Sequence, residues 1–214
     1  ADQVLFQHAV AINFQPKGLA ERFAGMPEQV IKGFVADRQK LFSGGTASRL
    51  DTDVALGQWP ALLSRLETQL ERDGDFLLGS QPSIADFSHY HALWFVASNR
   101  AVADALEPYP AVRAWMQRVR DIGHGSHAEL SADEAIRIAR EATPAALPTD
   151  AISSPTGLAA GQAVIVNAVD YGTDEVAGTL LYEGAEEIII AREDERAGLV
   201  HVHFPRFGFR IRAA

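Results

Sequence analysis

Through residue 142, apolar residues recur mostly at three- and four-residue intervals, the spacing that places them on one face of a helix. The pattern predicts helices over about residues 2–14, 27–42, 52–73, 83–99, 109–122 and 131–142. Leu62, Leu66 and Leu70 form the stripe of the third, which Pro60 must either kink or begin. The first helix is different. Val4, Leu5, Phe6, Ala9, Val10, Ala11 and Ile12 surround most of its circumference, and a helix apolar on several faces needs neighbours on several sides.

Past the segment Thr143-Pro144-Ala145-Ala146-Leu147-Pro148-Thr149 the period changes to two, the mark of strands. Strands are expected at about 163–169, 177–183, 186–192, 199–204 and 207–212, separated by Asp170-Tyr171-Gly172, Glu183-Gly184 and a charged turn at Glu193-Asp194-Glu195-Arg196. Val164 and Val166, Leu180, Ile188 and Ile190, Val200 and Val202, and Phe207 and Phe209 form alternating sets that can share one interior, with Arg210 on the other side. Five short strands so close together suggest a small closed or half-closed barrel, since closure removes exposed edges. The expected fold is therefore α+β and multi-domain: a helical domain over 1–142, a linker over 143–150 and a five-stranded, β-barrel-like domain over 151–214.

Composition narrows the function. Of 214 residues, 47% are hydrophobic and 22% charged, enough apolar material for a core and too much for a disordered chain. Nineteen Lys and Arg against 28 Asp and Glu give a net charge of −9, which opposes nucleic-acid binding. The last strand does interleave basic and aromatic residues, but alternation puts them on opposite faces, and residues 150–214 hold ten acidic against five basic side chains. Without cysteine the chain has no disulfide, thiolate metal site or cysteine nucleophile, which fits a reducing compartment. No stretch reaches the ~18 apolar residues of a membrane-spanning helix, and the N-terminus lacks a signal-peptide pattern, so a cytoplasmic protein with no membrane partner is expected. The chain opens at Ala1-Asp2 and its first methionine is Met26, which suggests that part of the protein lies upstream.

Candidate metal ligands are sparse. His124 and His127 share a loop without a third ligand, His89 and His91 diverge on a helix, and His201 and His203 share a strand face as ordinary alternation allows. No metal site is expected. Gly44-Gly45 and the run Gly157 to Gly161 match no phosphate-loop spacing.

The most informative segment is 76–95, FLLGSQPSIADFSHYHALWF. Ser83-Ile84-Ala85-Asp86 has the spacing of a capping box, in which Ser83 accepts from the third backbone N–H of the new helix and Asp86 reaches back to the N–H of Ser83. Phe76-Leu77-Leu78-Gly79 precedes it, and Tyr109-Pro110-Ala111-Val112-Arg113-Ala114-Trp115 follows about twenty residues later. This ensemble resembles the helical C-terminal domain of the cytosolic glutathione transferases, over about residues 1–125. The resemblance implies that Ser83 and Asp86 hold the start of a central buried helix and are structural.

It also implies glutathione as co-substrate, with its thiolate attacking a small electrophile in conjugation or reduction. In that family the thioredoxin-like N-terminal domain binds glutathione and stabilises its thiolate. No such pattern occurs in this sequence, so no catalytic residue is assigned, and this chain alone is expected to be inactive and not to bind glutathione. The family's electrophile pocket is lined by the first helix of the helical domain and by the central helix, which points here to His8, Ile12, Tyr90 and Trp94. A homodimer is compatible with the resemblance. The alternative is a non-catalytic binding or scaffold member of the same fold, with the β domain as its interaction module.

Overall fold

The structure, a computed structural model, describes residues 3–47, 49–149 and 156–214. Ala1 and Asp2, where the first helix was expected to begin, and residues 150–155, where the linker meets the β domain, lie outside the described residues. Helices come first: α1 (Val4–Asn13), α2 (Pro16–Arg22), α3 (Glu28–Leu41), α4 (Thr52–Asp73), α5 (Ile84–Ala97), a 3-10 turn (Ala103–Leu106), α6 (Pro110–Asp121) and α7 (Ala132–Glu141). Strands follow: β1 (Ala163–Ala168), β2 (Val176–Glu183), β3 (Glu187–Asp194), β4 (Gly198–Pro205) and β5 (Phe209–Ala213). All the expected elements form, and α4 runs through Pro60 without ending. The short α2 and the 3-10 turn were not anticipated from periodicity, because at seven and four residues neither completes the pattern that reveals a longer helix.

By packing, the chain divides into Ala1–Lys32 with Ser48–Ser126, and Gly33–Ala47 with His127–Ala214. The helical unit is built around one apolar cluster. Ile12 of α1, Leu63 and Leu66 of α4, Leu93 and Val96 of α5, and Val112 and Trp115 of α6 meet at its centre. α1 packs on both α4 and α5, and α6 closes over α4 and α5. The Trp59 indole N–H donates to the Ala105 carbonyl at 3.0 Å, tying α4 to the 3-10 turn.

In the second unit the strands form an antiparallel sheet in the order β4-β3-β2-β1-β5. Val164, Val166, Leu180, Ile188, Ile190, Phe204 and Ile211 fill one face, with Val202 and Phe209 against them, so the alternation gave the correct inward parity for most strands. Two expectations need correction. The sheet is not closed by hydrogen bonds into a barrel: β4 and β5 remain its two edges. Phe207, expected to point inward, lies in the turn after β4 and is 82% exposed, because Pro205 ends the strand and Gly208, at φ +82°, turns the chain before β5 begins.

The sheet is nonetheless strongly curled. Its edges would stand ~19 Å apart if flat, four strand spacings, whereas the link from Pro205 to Phe209 reaches at most ~15 Å. Curling brings the rings of Phe204 and Phe209 to 5.4 Å across the seam. At the end of β2 the buried Glu183 carboxylate accepts from Thr156 Oγ1 at 2.6 Å and pairs with Arg206 at 3.2 Å, anchoring the β4–β5 link. Residues 40–47 pack on the β1–β2 loop of the same unit. Thr46 and Ala47 donate their N–H groups to the carbonyls of Val169 and Asp170 (3.0 Å each), Phe42 stacks on Tyr171, and Lys40 pairs with Asp174 at 2.7 Å. Gly45 sits so close to Asp170 that a Cβ there would overlap its carbonyl oxygen.

Candidate functional site

The best-defined polar constellation of the helical unit is the start of α5. Phe76 and Gly79 exchange backbone hydrogen bonds across a tight turn, and Gly79 takes a φ of +121° that only glycine adopts readily. Ser83 then caps α5 in a box with Asp86, whose carboxylate accepts from the Ser83 N–H at 2.8 Å and from the Ser83 hydroxyl at 2.9 Å. The other oxygen of Asp86 accepts from the Leu77 N–H (2.9 Å) and from the indole N–H of the fully buried Trp115 (2.8 Å). Burial pushes the Asp86 carboxyl up, but these donors together outweigh it and hold the group below the ordinary carboxylate range. The box is thus the centre of a network that joins the 76–79 turn, α5 and α6.

A second carboxylate does similar work unseen by local motifs. Glu67, on α4, accepts from the N–H groups of Ala111 and Val112 at 2.8 Å each, capping α6 from across the unit. The residue at the cap position of α6, Tyr109, contributes no side-chain cap. Glu67→Ala is expected to lower the stability of the helical unit by about 1–2 kcal/mol, measured by urea denaturation, because two helix-terminal donors lose a charged acceptor.

The residues expected to line a pocket are placed unequally. His8 is buried: its Nδ1 donates to the Val4 carbonyl at 2.7 Å and its Nε2 lies 2.9 Å from the Gln58 side-chain oxygen. Ile12 is in the centre of the core. Tyr90 is half-buried, edge-on to Trp115 with ring centroids 6.4 Å apart. Of the four, only Trp94 is broadly exposed, at 49%. The structure therefore brings Trp94 together with other residues. Ile84, Phe87, His91 and Trp94 recur at the three- and four-residue spacing of one α5 face, all exposed, and Phe6 of α1 lays its ring 5.6 Å from that of His91. Their spacing was legible in the sequence, but their exposure was not, since α5 is apolar on most sides.

This face has a definite chemistry. Across α1 and α5 the one Asp, Glu, Lys or Arg side chain is Asp86, and it is buried. An aromatic molecule fits such a surface by ring stacking and burial of area.

The other histidines offer less. His124 and His127 are exposed in the 123–130 loop, His89 donates from Nδ1 to the Ala85 carbonyl at 2.8 Å, and His203 lies 2.9 Å from Glu187. Among the described residues no group of three His, Cys, Asp or Glu side chains could hold a metal ion, and no helix is long and apolar enough to cross a membrane.

Residues 28–118, which include α3 to α5 and the capping network, match the family described as glutathione S-transferase, C-terminal domain. A crystal structure of a GST-like protein from Pseudomonas syringae is similar to this chain at 43% identity and a TM-score of 0.76, over 100% of this chain and 65% of the other. This chain thus spans about two thirds of that protein's length. No curated protein sequence matches the chain. On these two comparisons this chain has a glutathione S-transferase C-terminal-like helical fold, which in its structure is followed by a five-stranded antiparallel sheet.

Proposed function

We propose that the whole protein is a glutathione transferase in which glutathione thiolate attacks a small electrophile, and that this chain supplies the electrophile-binding wall. The observation that carries the reading is the solvent-facing aromatic stripe Phe87, His91 and Trp94, with Phe6 beside it, on a helix whose other side is core. Such a wall contributes by holding the electrophile in place, and thiolate stabilisation belongs to residues outside this chain. Calorimetric titration of the chain with glutathione is expected to give no saturable heat at micromolar concentration, and the chain is expected not to conjugate a chlorinated dinitrobenzene. Stoichiometric micromolar binding would put the glutathione site within these 214 residues and overturn this division of roles.

A second reading, a non-catalytic member of the fold with the sheet as an interaction module, is favoured by the turn after β4. Phe207 stands in solvent there, close in sequence to the exposed Arg210. Conjugating activity of the whole protein would overturn that reading; no activity, with a bound partner that is lost on deletion of the sheet, would support it.

A further inference from the structure

His91 is held differently from the other helical histidines. His8 has oxygen acceptors at both ring nitrogens and His89 has its Nδ1 committed to Ala85. His91 is exposed, its ring tilted 42° against that of Phe6, and among the described residues no side chain or backbone group hydrogen-bonds to its nitrogens. Phe87 stands one turn before it and Trp94 one turn after, so the two rings bracket the imidazole over ~10 Å of helix. That span suits one or two fused rings.

We infer that His91 is the specificity-determining group of a small-molecule site on the α1–α5 face, and that the ligand is a planar aromatic carrying a carboxylate. The inference rests on the reading of this face as the electrophile wall. The rings of Phe6, Phe87 and Trp94 accept any flat apolar molecule by stacking and area burial, without distinguishing one from another. With Asp86 buried, α1 and α5 add no other ionisable side chain to the exposed stripe Ile84, Phe87, His91 and Trp94. An acidic substituent on the ligand meets two N–H donors on that stripe, the Trp94 indole and the His91 imidazole, and of the two only the imidazole is set against the Phe6 ring.

Trp59 and Trp115 are buried, so quenching of indole emission by an added aromatic reports chiefly on Trp94. The probes are 4-nitrobenzoate and nitrobenzene, both quenchers, titrated into the 214-residue chain and into His91→Phe and His91→Gln. His91→Phe keeps a ring against Phe6 and removes the nitrogens, whereas His91→Gln keeps a donor and removes the ring. Thermal melts by circular dichroism establish that both variants are folded. Saturable quenching by 4-nitrobenzoate is expected, weakened about tenfold in His91→Phe, while nitrobenzene binding changes by less than about twofold. His91→Gln is expected to retain the preference for the carboxylate probe while weakening both. Equal affinity of the wild type and His91→Phe for 4-nitrobenzoate would overturn the role of His91 and leave the aromatic wall intact. Quenching that rises linearly with both probes in the wild type would overturn the site itself. Neither result depends on glutathione, so failure here is distinguishable from failure of the glutathione titration.

Discussion

Replacing Asp86 with alanine is expected to lower the stability of the helical unit by about 3–5 kcal/mol, a large share of what such a unit possesses. The mutation removes a buried carboxylate and leaves the Leu77 N–H and the Trp115 indole N–H without an acceptor in the core. Ser83→Ala, which removes only the hydroxyl arm, is expected to cost about 1 kcal/mol. Urea denaturation followed by circular dichroism separates the two, and equal midpoints for Asp86→Ala and Ser83→Ala would show that the deeper half of the network adds nothing. The pH dependence has a definite sign. Because the folded Asp86 carboxyl titrates below its ordinary value, its contribution is complete above the unfolded value of about 4 and is lost as pH falls through the folded value. Wild type should therefore lose more stability than Asp86→Asn on acidification below about pH 4.

The contrast between Ser83 and Trp115 shows what was legible in the sequence and why. A capping box is a local device, its partners three residues apart, so its spacing identified both Ser83 and Asp86. The Trp115 indole reaches Asp86 from 29 residues away, and Glu67 reaches Val112 from 45, distances at which no spacing rule operates. Helix positions and strand parity were readable because burial on one face imposes a period. Closure of the sheet was not, because it depends on whether two edges hydrogen-bond, and β4 and β5 do not. For the candidate site, the pattern of the sequence marks α1 as apolar on several faces. It could not tell His8, held inside by Gln58, from His91, which faces out, because in a helix apolar on most sides the period no longer distinguishes core from surface.

The second large effect belongs to the seam of the curled sheet. Phe204 on β4 and Phe209 on β5 are on strands that share no ladder, and their rings, 5.4 Å apart, supply an apolar tie between the two edges. Phe204 also packs within the cluster of Val202, Ile188 and Ile190. Truncating it to alanine removes the aromatic contact and opens a cavity, for a cost of about 3–5 kcal/mol. A unit with so small a core has little stability in reserve, so Phe204→Ala is expected to unfold the sheet, and Phe209→Ala, at a half-buried position, to loosen it by less. Phe207→Ala and Arg210→Ala change exposed side chains and are expected to stay within about 0.5 kcal/mol of wild type. Hydrogen exchange of the β1 and β5 amides in the full chain reads this locally, without requiring the sheet to fold alone. If Phe207→Ala accelerated exchange as much as Phe204→Ala, the turn after β4 would have to pack inward in solution. The seam would then be held by three aromatic rings instead of two, and Phe207 would no longer be available to an interaction partner.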